Sequence, residues 1–428
     1  LLRQYQQDAL QNTRAAFANG ARRVCLVSPT GSGKTRIASE MLRLAGRGLW
    51  LAHRRELVAQ AYDTLTALGL RVSCVASDGI RPFDKNAPIQ VASIQTLIAR
   101  KQFVDSRFVV CDEFHHFAGT GYADCIPDTA RVVGLTATPE RGDGVGLHTI
   151  ADRLVVVSQV APLVAAGHLA PIEIIRPARK LRPGTIAQTP HDAYHAHAAG
   201  RPFLCYSASI KMAEQHAAGF AGLGYRVAVV DSTTPDDVRS ARVEAFRAGD
   251  LHGLCNVNVL TEGTDFPHAE VAILARGCGT TGLYLQIVGR VRRPKASALL
   301  LDLHGASHDH GHPDDDRVYS LDGRGIRRKQ DLVNQSYCRV CGACTIPGQP
   351  CGECGAAARG ITTVVKAARL ERYASARAQT IDRRALNLQK WMADAAAKGW
   401  STKQPMIKYK AVYGGWPGED VIRMARAR

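Results

Sequence analysis

Short apolar runs, each followed by a polar or amphipathic stretch, recur along most of the chain. They fall at Val24 to Ser28, Gly48 to Ala52, Ile89 to Ala92, Phe108 to Cys111 and Val132 to Thr136. Runs of strand length alternating with helical stretches are the rhythm of a parallel sheet wrapped by helices. The rhythm falters between about Val157 and Pro190, where Pro162, Pro171, Pro177 and Pro183 interrupt it. It resumes with Phe203 to Tyr206, Arg226 to Val230, Gly253 to Val257, Val271 to Ala275 and Ala298 to Leu303. The pattern predicts two α/β domains with parallel sheets, residues 1–157 and 191–306, joined by a linker over 158–190. The stretch from His304 to Lys329, rich in His, Asp and Gly, reads as a second linker, bounded at 307–336. A cysteine cluster follows within 337–356. The Ala- and Arg-rich stretch from Ala356 to Lys398 predicts a helical basic tail, residues 357–428.

Length agrees with this division, because a chain of 428 residues exceeds what a single ordinary core organises. No run approaches the roughly 18 apolar residues of a membrane span, so no membrane association is expected. Lys and Arg outnumber Asp and Glu by 55 to 38, a net charge of +17 that favours polyanionic partners. From Gly355 onward there are 15 basic and 5 acidic residues, so +10 of the +17 lies in the tail.

Two groups stand out among the 12 cysteines. Cys25, Cys111, Cys205 and Cys255 lie in apolar runs, where a free thiol behaves as a small hydrophobe, and this favours a reducing cytoplasm. Cys338, Cys341, Cys344, Cys351 and Cys354 cluster in C-x2-C pairs. Two such pairs offer four thiolates to one tetrahedral Zn2+, so Cys338, Cys341, Cys351 and Cys354 read as a small zinc ribbon with Cys344 left over. An iron–sulfur cluster takes the same donors and is the alternative. A ribbon of this kind folds around its metal and would hold the basic tail in place or offer a nucleic-acid surface. Two histidine groups, His304 with His308, His310 and His312, and His191 with His195 and His197, read as a solvated loop and a helix face rather than metal sites.

Chemistry begins at Ser28-Pro29-Thr30-Gly31-Ser32-Gly33-Lys34-Thr35, between an apolar strand and the helical stretch Ile37 to Leu44. Glycines let backbone N–H groups converge on phosphate oxygens at a helix N-terminus, where the helix dipole also favours negative charge. Lys34 would neutralise the β and γ phosphates and Thr35 would ligate Mg2+. Ser28 stands where the full phosphate-loop pattern has its first Gly. Downstream, Phe108 to Cys111 runs into Asp112 and Glu113. Asp112 at a strand end can hold Mg2+ opposite the phosphate loop, and Glu113 can polarise the attacking water. A helix N-cap is the bland alternative for this pair.

These residues resemble the superfamily 2 helicases of DEAD/DEAH type over about residues 1–303, with seven motifs in order. The resemblance implies two tandem RecA-like domains. It implies adenine recognition by Gln6 with Arg3 as helper, within Leu2-Arg3-Gln4-Tyr5-Gln6. The motifs Leu51 to Leu57 and Ser93 to Leu97 resemble strand-gripping elements, with His53, Arg54, Arg55, Ser93 and Gln95 as contacts. Thr136-Ala137-Thr138-Pro139 resembles the element coupling hydrolysis to the strand site. In the second domain, Phe203 to Ser209 and Thr261 to Pro267 supply Ser207 and Thr261 toward nucleic acid and Gly263 and Asp265 toward nucleotide. Gln286 to Arg293 matches the sixth motif, with Gln286, Arg290 and Arg293 catalytic. A guanidinium brought across a cleft stabilises charge on the transferring phosphoryl group. Arg292 would face elsewhere, solvated or on nucleic acid. Phe114, where such motifs often carry Ala or Cys, is expected to pack inside the sheet end, and His115 to contact the second domain or sit in the core.

The Arg-x-Tyr-Gln start, the third motif and the cysteine module are similar to RadD-type bacterial repair helicases and phage-encoded relatives. That similarity implies an ATP-dependent, Mg2+-using monomer on a single DNA strand, with repair or replication proteins as possible partners. A remodeller that spends ATP without unwinding, an RNA helicase and an ATP-switched binding module are the competing readings. The tail, with Trp391, Trp400, Tyr409, Tyr413 and Trp416, is expected to touch nucleic acid, core packing of those aromatics being the alternative.

Overall fold

The computed structural model describes residues 2–76, 79, 81–102, 104–119, 121–141, 145–260, 263, 265–323, 364–365, 368–397, 401, 403–413 and 415–427. For residues 364–365 and 376–381 only the backbone is described. By internal contacts the chain divides into two compact units, residues 1–310 with 316–372, and residues 311–315 with 373–428.

The first sheet contains β1 (Arg23–Val27), β2 (Gly48–Ala52), β3 (Val72–Val75), β4 (Ile89–Ser93), β5 (Phe108–Cys111), β6 (Arg131–Thr136) and β7 (Arg153–Val156), in the order β3-β4-β2-β5-β6-β1-β7. Every pairing in it is parallel. Parallel sheets are covered on both faces, so their central strands are apolar throughout instead of alternating. Leu49, Trp50, Leu51 and Ala52 are accordingly all fully buried. One face packs beneath α1 (Gln4–Ala18), α2 (Lys34–Ala45) and α3 (Arg55–Ala67); the other packs against α4 (Ile94–Arg100) and two short 3-10 turns.

The polypeptide crosses through α5 (Val160–Ala165) to the second sheet. Its elements are β8 (Ile172–Pro177), β9 (Thr185–Ile186), α6 (Pro190–His197), β10 (Phe203–Ser207), α7 (Ile210–Gly222), β11 (Val227–Val230), α8 (Asp236–Ala248), β12 (Gly253–Asn256), β13 (Val271–Ala275), α9 (Thr281–Arg290), β14 (Ala298–Asp302), α10 (Ser307–His310), β15 (Val364–Val365) and β16 (Leu370–Tyr373). The strand order is β11-β12-β10-β13-β14-β8-β16, while β15 pairs separately with β9. Tyr194, Phe203 and Phe220 form the centre of its core, with Tyr194–Phe203 and Phe203–Phe220 ring centroids each 4.4 Å apart.

Two stretches expected to be linkers are built into the fold. The strand β8 lies within 158–190 yet pairs in parallel with β14. Pro171 precedes this strand and Pro177 ends it, so these prolines bracket a strand instead of breaking one. The histidine-rich stretch is packed, not solvated, as far as His310. Asp302 accepts N–H bonds from Gly305, Ala306 and Ser307, which turns the chain back. His304, His308 and His310 then each place a ring nitrogen within 2.9 Å of a backbone carbonyl, of Thr185, Pro177 and Cys278 respectively, and His310 stacks on Tyr284. Imidazole N–H groups satisfy strand-end carbonyls that this buried turn would otherwise orphan. Beyond it, Arg317 to Gly323 returns to the first sheet: Gln159 Nε2 donates to the Arg317 carbonyl (2.8 Å) and His148 N–H to the Leu321 carbonyl (3.0 Å). Tyr319 and Leu321 pack on the first-sheet core.

The second unit is a helical module of α11 (Ala376–Ala397), α12 (Gln404–Tyr413) and α13 (Glu419–Ala427). Ala385, Leu388, Tyr409, Val421 and Ala425 form its core, with Trp391 and Tyr413 packed alongside. Three of the tail aromatics are thus internal to the module, Trp416 is 60% exposed, and Trp400 lies outside the described residues. The cysteines of the expected ribbon, Cys338, Cys341, Cys344, Cys351 and Cys354, also lie outside the described residues. All seven described cysteines are buried.

Candidate functional site

Since the first sheet is parallel throughout, the carboxyl ends of its strands open on one edge, the place where open α/β sheets gather ligand-binding loops. At the end of β1, the Ser28 N–H bonds the Thr136 carbonyl at 3.0 Å, tying this loop to the end of β6. Gly31 and Gly33 take φ of +89° and +86°, a left-handed backbone that favours glycine, and α2 begins at Lys34. Ser28 Oγ and Ser32 Oγ lie 2.5 Å apart, and the Ser32 hydroxyl and N–H both donate to the Pro29 carbonyl. Ser32 therefore braces the loop here. Thr30 and Thr35 are half-buried at its rim, and Lys34 Nζ donates to the Ser28 carbonyl at 3.2 Å. Burial lowers the Lys34 pKa; Glu113 and Asp112 oppose that shift, and Arg290 and Arg293 add to it.

Asp112 and Glu113 leave β5 buried at 6% and 8% exposure. The Asp112 N–H still bonds the Leu51 carbonyl of β2, so the ladder carries it to the sheet edge. Glu113 adopts φ 48°, ψ 57°, and its N–H donates to Asp112 Oδ1 at 3.0 Å. A non-glycine residue in this region is strained, and strain of this kind gathers at functional positions. Phe114 is fully buried, as expected, and the reason is Gly134 on β6: a Cβ there would lie 2.1 Å from the Phe114 ring. His115 Nδ1 lies 3.2 Å from Thr136 Oγ1 and 3.6 Å from Glu113 Oε2, which joins the third motif to the acidic pair.

The second domain closes on this edge. Gln286 Nε2 donates to Glu113 Oε2 at 3.4 Å. Arg293 pairs with Asp265 at 2.7 Å and donates to the Gly31 carbonyl at 3.2 Å. Gly289 passes so close to Thr30 that a Cβ would meet the threonine at 2.3 Å, and a Cβ on Gly282 would likewise lie 2.6 Å from Thr138 Oγ1. Arg292 corrects its expectation: only 2% exposed, its Nε donates to the Ala170 carbonyl at 2.9 Å while the Ala170 N–H returns a bond to Arg292. Gly263 sits against Glu56 and Leu57 of α3.

At the other end of the loop, Gln6 Nε2 donates to the Ser32 carbonyl and Gln6 Oε1 accepts the Arg3 N–H. Tyr5 donates to the same Ser32 carbonyl at 2.7 Å, and its ring lies 5.5 Å from that of His168. Leu169, next along the crossing segment, abuts Gly31.

The expected strand-gripping residues share the neighbouring strand ends. His53 is buried with its ring 4.2 Å from that of His116, and Gln95 donates to its carbonyl. Ser93 Oγ donates to Gln95 Oε1 at 3.2 Å. Arg54 precedes α3, whereas Arg55 pairs with Asp236 at 2.7 Å and Glu56 with Arg239 at 3.2 Å, both partners belonging to the second domain. Ser207 is fully buried and bonded to His216 (2.9 Å), so its hydroxyl is not presented to a strand. Thr261 lies outside the described residues. Sequence reading missed Tyr5, His168, Asp236, Arg239, Gly282 and Gly289. Tyr5, Gly282 and Gly289 lie inside or beside motifs and had a signal; His168, Asp236 and Arg239 gain their meaning only from the approach of the two domains.

Family models match the chain twice: one described as "Type III restriction enzyme, res subunit" over residues 1–141, and one described as "Helicase conserved C-terminal domain" over residues 189–295. A 51.5 kDa protein of a Lactococcus phage is 28% identical over 77% of this chain and 76% of its own length. The provisionally named ATP-dependent helicase IRC3 of Saccharomyces cerevisiae is 25% identical over 72% of this chain, which spans 52% of that relative. The DNA 3'-5' translocase XPB2 of Sulfurisphaera tokodaii is 24% identical over 71% of this chain and 81% of its length. Among solved structures, a fragment of an HsdR subunit of a type I restriction enzyme from Vibrio vulnificus superimposes with a TM-score of 0.58 at 20% identity, over 76% of this chain and 70% of that one. Dbp5 of S. cerevisiae, bound to RNA and ADP BeF3, superimposes with a TM-score of 0.54 at 17% identity, over 74% and 93%.

Proposed function

Because the chain is an ATP-dependent helicase or translocase of superfamily 2, and so an ATP hydrolase, we propose that it tracks one strand of DNA by opening and closing the cleft between its two domains. The observation that carries this reading is Arg293 reaching the Gly31 carbonyl from the far side of the cleft. With that residue in place, nucleotide occupancy and domain closure are one event, and product release is the step that opens the cleft. Lys34 neutralises phosphate charge, Gln286 orients Glu113, Glu113 polarises the attacking water, and Arg290 and Arg293 stabilise the transferring group. Gln6 with Arg3 reads the base. Thr35 and Asp112 fit a Mg2+ site, since a buried carboxylate stands opposite the phosphate loop; the ion there would neutralise charge on the phosphates. His53, Arg54, Arg55, Ser93, Gln95 and Thr261 hold the strand, with Ser207 bracing the second domain from beneath.

DNA is favoured over RNA by the relative named a DNA translocase; the basic excess of the chain suits either polyanion. A translocase that does not separate strands is the second reading, favoured by that same name. A repair or replication setting belongs to this proposal too. The test is ATP turnover with single-stranded DNA, duplex DNA and RNA, beside strand displacement on tailed and forked duplexes. Single-strand stimulation with displacement supports the proposal, stimulation by RNA alone overturns it, and duplex stimulation without displacement selects the second reading. From spacing alone, Cys338, Cys341, Cys351 and Cys354 are assigned to Zn2+; one equivalent of zinc in a colourless protein supports this, and visible absorbance selects the iron–sulfur alternative.

A further inference from the structure

We propose that the exposed surface of α12 and of the residues flanking it docks a single DNA strand, with Lys403, Lys408 and Lys410 pairing with phosphates and Trp416 stacking on a base. The proposal rests on the strand-tracking reading above and adds a site outside the two motor domains.

Pro405 and Tyr409 turn inward on α12, where Tyr409 joins Leu388 and Val421 in the module core. The outward residues are Lys403, Lys408, Lys410 and Ala411, with Ile407 52% and Val412 56% exposed. Just past the helix, Trp416 leaves 60% of its surface in water. Two exposed aliphatic side chains and an exposed indole, all on this helix and the segment after it, make this surface a candidate interaction site. The charge indicates which kind. From Ser401 to Gly418 there are three lysines and no acidic residue, within the part of the chain that holds most of the excess positive charge.

A basic groove lined with an aromatic platform is the chemistry of single-strand binding, since phosphates pair with ammonium groups and any unpaired base offers a face to stack. Lys410 Nζ already sits 4.9 Å over one face of the Trp416 ring, so the cation adjoins the platform and a stacked base takes the opposite face. Lys408 Nζ stands 5.1 Å over the Trp391 ring, and the residue as a whole stays exposed. An indole face is available only to an unstacked base, which selects a single strand over a duplex. Trp391, Tyr409 and Tyr413 take no part, because they pack the module itself.

The test uses the full chain and a fluorescent oligothymidylate, titrated across a range of salt concentrations. For the triple variant Lys403→Gln, Lys408→Gln, Lys410→Gln, the slope of log affinity against log salt is expected to shrink by about 2, given roughly 0.7 per phosphate contact on single strands. Trp416→Ala is expected to weaken binding roughly ten-fold at fixed salt, and Trp416→Phe to restore most of it. Turnover without DNA stays unchanged in all of them. An unaltered slope together with unaltered binding by Trp416→Ala overturns the docking face. Retained DNA binding with loss of affinity for phosphatidylglycerol vesicles overturns it in favour of a membrane. If the unaltered chain shows no DNA-stimulated hydrolysis, the strand-tracking reading fails as well, so the two failures are distinguishable.

Discussion

Gly289 shows how much of the cleft depends on single atoms. Its missing Cβ would stand 2.3 Å from the Thr30 side chain, so Gly289→Ala blocks the approach that brings Arg293 to the phosphate loop. The same change adds a better helix former to α9, worth about 0.5–1 kcal/mol in a helix interior. Melting temperature is therefore expected to hold or rise while DNA-stimulated turnover falls at least ten-fold, and Thr30→Gly in the same chain is expected to restore part of it. Arg293→Ala is expected to lower kcat by roughly a thousand-fold with nucleotide affinity retained in equilibrium binding; a variant with full stimulated turnover sinks the assignment. That Lys34, Asp112, Glu113 and Arg293 gather at one cleft was legible in the sequence because each position is tied to a motif or a strand end. The left-handed backbone of Glu113 and the space Gly134 leaves for Phe114 were not, since both depend on a neighbouring strand.

The crossing segment from His168 to Ala170 links the ends of the site. His168 meets Tyr5 beside Gln6, Leu169 abuts Gly31, and Ala170 exchanges hydrogen bonds with Arg292 beside Arg293. Arg292→Leu leaves the Ala170 carbonyl without that partner, at a cost of about 1–3 kcal/mol in urea unfolding, and is expected to raise KM for ATP as the segment loosens. Burial, and then the charge of Arg3, lower the His168 pKa below the ordinary 6.5. A histidine depressed in the folded state favours its neutral form, so its contribution is present above 6.5 and is lost as pH falls through the folded value. KM for ATP is accordingly expected to rise as pH drops below 6.5, and His168→Phe to flatten that rise. Among the elements, the central strands were read within a residue or so because both faces are buried and the apolar runs are continuous. β3, β7, β8 and β9 were missed, because they are short, flank the sheets or are framed by proline; β15 and β16 correct the helical reading of 357–428, since the start of that stretch adds β16 to the second sheet.

At the scale of the whole molecule, the two motor domains are tied twice, once through α5 and again by the returning stretch Arg317 to Gly323. Its anchors, Tyr319 and Leu321, lie against the first-sheet core although the chain as far as His310 packs in the second domain. Leu321→Ala is expected to cost about 1–2 kcal/mol for a partly buried leucine and to split a single thermal transition into two; one unchanged transition would reject the tie. The amino-acid order by itself determined the alternation of strand and helix, the phosphate loop, the acidic pair and the arginine-bearing motif, because each is a local pattern that needs only its own few residues. Tertiary structure alone decided which of these meet. Arg293 reaches Gly31 over 262 positions of sequence and Arg239 reaches Glu56 over 183. Ser207 turned inward, Arg292 became a buried tie, and the tail aromatics divided into a core and one exposed indole. Burial and cross-domain distance are properties of the packed chain, and no spacing within a segment encodes them.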